Sequence, residues 1–452
     1  MSGGSGSDRF DAIVLGAGPG GEVVTSRLAA QGLRTALVER ELIGGECSYW
    51  ACIPSKTLLR PGEVRSEAER GFGTATPELG WSEVAKYRDY MIRGLDDSSE
   101  VKSYEESGVS VFKGEGALAG PGAVRVGERR LETERVIVAT GSDPVIPPID
   151  GLARAGYWTN REATTFSEPP ESVIILGGGP VGIELAQLMH RFGAEVHLIE
   201  AAERLLARED ERVGELVLEA LRDEGIDVRL GAEASSVSAG DGRRTVHAGG
   251  EPVSARELVV AVGRRPRTEA LGLDTVGIEP GPHGIEVDER CRAGERIWAI
   301  GDVTGVMAFT HVAKYQGRLV CWDIAGESVR ADYGAVPRVV FSDPEVAVVG
   351  MSEAQAREAG VELARQHIVL GEAIARPYTY ERDPRGEMQL LADRRRSVLV
   401  GAWGVGPLAS EWIHFAALAI KAQIPVAVLK DTVPQFPTYA EAYQYALEAL
   451  EL

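Results

Sequence analysis

The chain has 452 residues, 44% hydrophobic and 26% charged, an ordinary globular composition long enough for two or three domains. Asp and Glu number 68 against 48 Lys and Arg, and the net charge of -20 argues against nucleic acid and anionic membranes as partners. No run of about 18 apolar residues occurs, so no membrane span is expected. The Gly/Ser-rich opening MSGGSGSDRF lacks an apolar signal core, so a cytoplasmic protein with a frayed N-terminal tail is expected.

The first patterned stretch, FDAIVLGAGPGGEVVTSRLAAQGLRTALVER, reads as an apolar strand, a glycine turn, an amphipathic helix and a second strand ending at Glu39, a βαβ unit. GGECSYWACIPSK follows, with Cys47 and Cys52, two of only four cysteines. That count does not make a secreted disulfide scaffold. A structural bridge, half a metal site and a working redox pair all suit the spacing. Zinc needs two more ligands, and Cys291 and Cys321 have no CxxC or His pair beside them, so no metal site is expected. VIVATGSDP is a strand running into a turn at Thr140 and Gly141. SVIILGGGPVGIELAQLMHRFGAEVHLIE repeats the βαβ pattern and ends in Glu200. LVVAVGRRP, with Gly263, and IWAIGDVTG, with Gly301 and Asp302, are two further strands ending in glycine turns. Asp302 suits either a ligand hydroxyl or the turn itself. From VPRVVFSDPEVAVVGMSE onward the pattern changes to short alternating strands. Helical ASEWIHFAALAIKAQ and a terminal helix over Tyr439–Leu450 come next, an α+β arrangement.

The repeated glycine turn carries the chemistry. Glu39 follows Gly16, and Glu200 follows Gly177, at the same spacing of 23 positions. Gly16 and Gly177 permit the tight turn, Gly18 and Gly179 let the backbone approach a pyrophosphate, and Gly21 and Gly182 let helix and strand pack closely. The helix N-terminus offers unpaired N–H groups to the phosphates. Glu39 and Glu200 can accept hydrogen bonds from ribose hydroxyls. The expected fold is therefore α/β, with two Rossmann-like dinucleotide-binding domains followed by a C-terminal α+β domain.

Together these stretches resemble the flavoprotein disulfide reductase family, the class I pyridine nucleotide-disulfide oxidoreductases, which includes dihydrolipoamide dehydrogenase, glutathione reductase and mercuric reductase. From Phe10 to Leu450 the motifs fall in the family's order: GxGxxG, GGxCxxxxCIPSK, ATG, a second GxGxxG, VGRRP and GD. The resemblance implies an FAD-binding domain over 1–150 and 277–335, an NAD(P)-binding domain over 151–276 and a dimerisation domain over 336–452. Gly20, Gly45, Thr140, Gly141, Gly301 and Asp302 would then join the first glycine turn around FAD, with Asp302 on the ribitol. Gly263 would line the cofactor path. His311, in FTHVAKYQG, would face the flavin pyrimidine ring, a core or surface histidine being the other reading. Cys47 and Cys52 would form a redox-active disulfide, with Cys47 the outward, exchanging thiol and Cys52 the one against the flavin. Hydride would pass from nicotinamide to FAD and the electrons on to the disulfide. Lys56 would pair with Glu184 near flavin N5 and offer a cation to the thiolate; an ordinary salt bridge is the alternative. Family members are homodimers, each site finished by the partner's C-terminal segment.

The ending departs from the family. Where HPTxxE is usual, this chain reads Phe436-Pro437-Thr438-Tyr439-Ala440-Glu441. Glu441 survives, but phenylalanine moves no proton, and base catalysis is worth roughly 10²–10⁴-fold. Tyr439 is a candidate weak proton donor. Mercuric reductases also lack this His but carry a C-terminal cysteine pair, which the ending LEALEL does not. Tyr49, Trp50, Phe436, Tyr439 and Tyr443 suit either interface packing or a pocket for a flat acceptor. Glu200 favours NADH over NADPH, with Arg204 the one nearby cation. The expected activity is NADH oxidation through FAD and the cysteine pair toward a small-molecule acceptor. A quinone, metal-ion or conjugated-molecule reductase working directly from flavin is the alternative, and a redox sensor with little turnover a third.

Overall fold

Why two βαβ units arise from these stretches is visible in their burial. The runs AIVL (Ala12–Leu15), TALVE (Thr35–Glu39) and VIV (Val136–Val138) are buried at every residue, which is how strands covered on both faces read. They lie at the centre of a six-stranded sheet ordered Arg292–Gly294, Ile297–Ala299, Val136–Val138, Ala12–Leu15, Thr35–Glu39, Ser110–Lys113. All but the first strand run parallel to their neighbours. This is the sheet of one compact unit, formed by the chain up to Pro54, Tyr87–Val145 and Arg264–Asp332. The computed structural model describes residues Asp8–Leu452; of the tail expected at MSGGSGSDRF, residues 1–7 lie outside them, while Arg9–Phe10 is not frayed but pairs as a strand with Glu132–Thr133.

The other unit comprises Ser55–Lys86, Ile146–Gly263 and Tyr333–Leu452. Its parallel sheet has the order Asp227–Arg229, Glu195–Ile199, Ser172–Leu176, Glu257–Val260. A five-stranded antiparallel sheet follows, ordered Arg338–Val340, Val346–Gly350, Val398–Val405, Glu387–Asp393, Leu363–Val369. Four helices come after it, at Ala409–Trp412, His414–Lys421, Val426–Lys430 and Glu441–Ala449. The α/β class and the terminal α+β arrangement are those expected.

The expected domain edges shift, for packing reasons. Leu58 and Leu59 enter the core of the second unit and Trp81 stacks on Phe166 at 4.6 Å, so Ser55–Lys86 leaves the expected 1–150 domain. Arg264–Pro266 pairs with Ser142–Pro144 and stays with the first unit, not with 151–276. The modules expected at 151–276 and 336–452 share one core, in which Val346 and Trp403 cluster with Ile175 and Leu198. Arg191 fastens them. Only 8% of its side chain is exposed, and it bonds Glu224 at 2.8 Å and Asp343 at 2.9 Å. Removing one partner of such a pair costs about 3–5 kcal/mol.

Candidate active site

Each glycine turn forms the same cradle. The helices Pro19–Ala30 and Pro180–Arg191 begin with proline after an extended glycine, Gly18 or Gly179, with no side chain capping them. Their first N–H groups are left to a ligand. A Cβ on Gly21 would run into the Gly16 carbonyl, and one on Gly182 into the Gly177 carbonyl, so only glycine lets helix and strand approach this closely. A Cβ on Gly18 or Gly179 would meet nothing within 4 Å, which is the open face a pyrophosphate requires. Glu39 accepts the Ala17 and Glu41 N–H groups, each at 2.7 Å. Glu200 accepts those of Gly178 at 2.5 Å and Ala202 at 2.7 Å. Each oxygen keeps a lone pair for a ribose hydroxyl. Both cradles fit a dinucleotide. Arg204 is engaged elsewhere, donating to the carbonyls of Ala207 and Glu209 at 2.7 Å each.

The cysteine loop is laid on the first cradle. Gly45, at φ +60°, sits so close that a Cβ on it would come within 2.9 Å of the Gly18 Cα. Cys47 belongs to the short helix Gly45–Tyr49 that starts there, and Cys52 opens the helix Cys52–Arg70. Both are free cysteines in this structure. They meet on one hydroxyl: Thr310 Oγ1 donates to Cys47 Sγ at 3.2 Å and lies 3.5 Å from Cys52 Sγ. The hydrogen bond with Cys52 and burial push the Cys47 thiol up from its ordinary range, while Thr310 and Lys314 pull it down. Thr310 starts the helix Thr310–Ile324, and His311 beside it is exposed and stacked on Phe309 at 5.3 Å. Tyr49 departs from the expectation of aromatic surface near the site. It is fully buried, and its hydroxyl donates to the Ile43 carbonyl at 3.1 Å.

Two polar sets complete the picture. In the second unit Lys56 Nζ bonds Glu184 Oε2 at 2.6 Å, and Glu184 Oε1 accepts the Phe341 N–H at 2.9 Å. The ammonium also lies 4.9 Å from the Phe341 ring centre. Glu184, its side chain only 8% exposed, is thus satisfied at both oxygens. In the first unit Ser142 Oγ donates to Asp302 at 2.6 Å, and Arg264 donates to the same Ser142 oxygen at 2.7 Å. Thr140 donates to the Arg267 carbonyl at 3.0 Å, closing the turn that carries Gly141. Gly263 and Gly301 both adopt positive φ at the ends of their strands. Thr310, Lys314, Ser142 and Arg264 were not legible as site residues. Thr310 and Cys47 stand 263 positions apart, and no spacing rule joins them.

The C-terminal candidates separate. Tyr439 is corrected: it is a core residue, 5% exposed, between Tyr380 and Trp412. Its hydroxyl is enclosed without a hydrogen-bond partner, and burial pushes its pKa further up, so it has no route to an acceptor. Tyr443 is likewise core. Glu441 accepts the Thr438 N–H at 3.1 Å at the start of its helix. Phe436 is 73% exposed. Among the described residues no group of three or more His, Cys, Asp or Glu could hold a metal ion, and no helix is long and apolar enough to cross a membrane.

Two dinucleotide cradles and a thiol pair laid against the first define a two-nucleotide redox enzyme. Residues 10–317 match the family of pyridine nucleotide-disulphide oxidoreductases, and residues 336–447 match that family's dimerisation domain. The chain belongs to this family, whose members bind FAD and use NAD(P)H. It is 31% identical to a mercuric reductase of Lysinibacillus sphaericus over 450 residues, covering 97% of this chain and 82% of that protein. It is 33% identical to a dihydrolipoyl dehydrogenase of Halobacterium salinarum over 456 residues, covering 97% and 95%. Among solved structures, the HOCl-induced flavoprotein disulfide reductase RclA from Escherichia coli matches with a TM-score of 0.88 at 27% identity, covering 98% of this chain and all of that one. RclA has also been solved as a Cu(II) complex, which matches with the same TM-score and identity over 97% of this chain and 99% of that one.

Proposed function

We propose that this enzyme oxidises NADH and reduces a small-molecule acceptor through the Cys47–Cys52 pair, without a protein base at the C-terminal segment. The observation that carries this reading is the meeting of both thiols on the Thr310 hydroxyl, at 3.2 and 3.5 Å. FAD, when bound, supplies the two-electron relay between nicotinamide and sulfur. Gly16–Gly21, Glu39, Asp302 and His311 would hold it, and Gly177–Gly182 with Glu200 would hold NADH. In balance, a hydride from NADH and one proton convert the disulfide to two thiols. Two electrons and two protons then pass from the thiols to the acceptor, and the S–S bond reforms. Lys56 and Glu184 keep a fixed ion pair in the second unit. The dimerisation-domain match supports a homodimer, and Val433 and Phe436, 91% and 73% exposed, give that domain apolar surface for a second copy.

A second reading of the acceptor, a metal ion, is supported by what the relatives are named for: mercuric reductases, and a structural neighbour solved as a Cu(II) complex. The test is an anaerobic acceptor screen with wild type and Cys47→Ser, covering lipoamide, small disulfides, quinones and metal ions. Turnover lost in Cys47→Ser supports the thiol route. Full turnover in that variant overturns it in favour of reduction directly from flavin. No turnover of wild type with any acceptor would leave the sensor reading in its place.

A further inference from the structure

Three successive residues of the first unit, Arg93, Gly94 and Leu95, adopt positive φ, at 53°, 59° and 60°. That region suits glycine, and an arginine and a leucine held there are strained unless their surroundings compensate. Leu95 is 41% exposed and gains little from packing, so the compensation lies with Arg93. Its Nε lies 2.8 Å from Glu100 Oε1, its Nη1 donates to the Tyr49 hydroxyl at 3.4 Å, and its guanidinium stands 5.9 Å from the Tyr49 ring centre. The directions agree: the Tyr49 O–H donates to the Ile43 carbonyl, which leaves its oxygen to accept from Arg93. Just past the turn, Asp97 Oδ2 accepts the Ile43 N–H at 2.7 Å and the Lys113 ammonium at 2.6 Å. Both main-chain groups of Ile43 are thus bonded. Between Ile43 and Cys47 stand Gly44 and Gly45, at φ +118° and +60°, the two positions where this loop has most backbone freedom. Ile43 before that glycine pair and Tyr49 after Cys47 are therefore tied to each other and to the same turn.

We propose that the left-handed turn Arg93–Leu95 braces the cysteine loop across its two glycines, with Arg93 a positioning residue that acts on Cys47 through Tyr49. The turn brings the Arg93 side chain to Tyr49 while Asp97, two residues past it, reaches Ile43. Without the brace the glycines let Cys47 swing on its main chain. With it the sulfur keeps one place, and the two cysteines keep their difference, one exchanging and one retained. This deepens the thiol reading and rests on it.

The test uses reduced holoenzyme, alkylated with iodoacetamide at neutral pH, with the ratio of label on Cys47 to label on Cys52 read by peptide mass spectrometry. Wild type should favour Cys47. Arg93→Met and Tyr49→Phe should each lower the ratio about tenfold, the scale of one hydrogen bond to a charged group. The double variant should fall no further than either single one, because both changes break the same connection. Leu95→Gly keeps the left-handed turn and the Arg93 contacts, so it should keep the wild-type ratio. Should Arg93→Met fail to hold flavin, Tyr49→Phe decides, since it leaves the buried ring in place. A merely structural role for Arg93 would lower the melting temperature and leave the ratio alone. Equal labelling in wild type, a wild-type ratio in Arg93→Met or Tyr49→Phe, additive losses in the double variant, or a loss in Leu95→Gly as large as in Arg93→Met each overturns the proposal. The ratio is read without turnover, so it stands apart from the thiol route, which fails if Cys47→Ser turns over at full rate.

Discussion

The two glycine cradles share a plan and differ in what rests on them. In the first, Gly20 packs against the main chain of Ala313 and the side chain of Ile300, and Gly45 lies across Gly18. In the second, Val181 takes the place of Gly20 and is 45% exposed. Glu39 is 8% exposed, whereas Glu200 is only half-buried. A cradle enclosed by main chain should release a ligand more slowly than one bordered by an exposed side chain. The difference suits a resident cofactor in the first unit and a visiting one in the second.

The hardest test of that contrast is a matched pair of substitutions. Gly21→Ala and Gly182→Ala both push a Cβ into a backbone carbonyl. Gly21→Ala should purify with only a trace of flavin, read as flavin absorbance per chain. Gly182→Ala should stay yellow while NADH reduces it about a hundredfold more slowly, the scale of a misplacement of about 1 Å. Loss of flavin from both would break the comparison. Next in size is Phe436→His, which should raise lipoamide turnover between about tenfold and a hundredfold if Glu441 orients the new imidazole. Stopped-flow reduction by NADH should not change, because the substitution touches neither cradle. High lipoamide activity in wild type would mean that another group already acts as base.

A smaller effect separates the acidic pair. Glu200→Ala should lower the NADH to NADPH ratio of kcat/KM about tenfold by removing a charge that repels a 2′-phosphate, with flavin content intact. Glu39→Ala should instead weaken flavin retention and leave the nucleotide ratio alone. The smallest effect is expected at Tyr439→Phe, which should raise stability by about 1 kcal/mol, since its enclosed hydroxyl has no partner to lose and its removal ends the cost of burying an unpaired polar group. Acceptor turnover should be unchanged; a clear loss would restore Tyr439 as a proton donor.

How far the sequence could be read follows from what is local. The cradles were legible because turn, helix start and acidic strand end lie within one βαβ unit, so spacing alone encodes their geometry. Cys47, Cys52, Lys56 and Glu184 were legible through the resemblance. Thr310 was not, although its neighbour His311 was singled out, because its contact with the cysteines depends on which helix packs beside the first cradle. Tyr439 misled because a tyrosine near a motif reads as chemistry until burial is known. Its place between Tyr380 and Trp412 is a property of the core. The edges at Ser55–Lys86 were missed because a helix opening with Cys52 gives no sign that Leu58 and Leu59 belong to another core.

The sequence distance between Cys47 and Thr310 also has a consequence in time. With Thr310 263 positions after Cys47, synthesis at roughly 5–20 residues per second leaves the cysteines waiting tens of seconds for Thr310 to be made. During that interval they are two ordinary thiols on a nascent chain, open to any exchange partner they meet. Their pairing on a single hydroxyl is acquired late, when the far end of the same unit has been made and has folded back beside them.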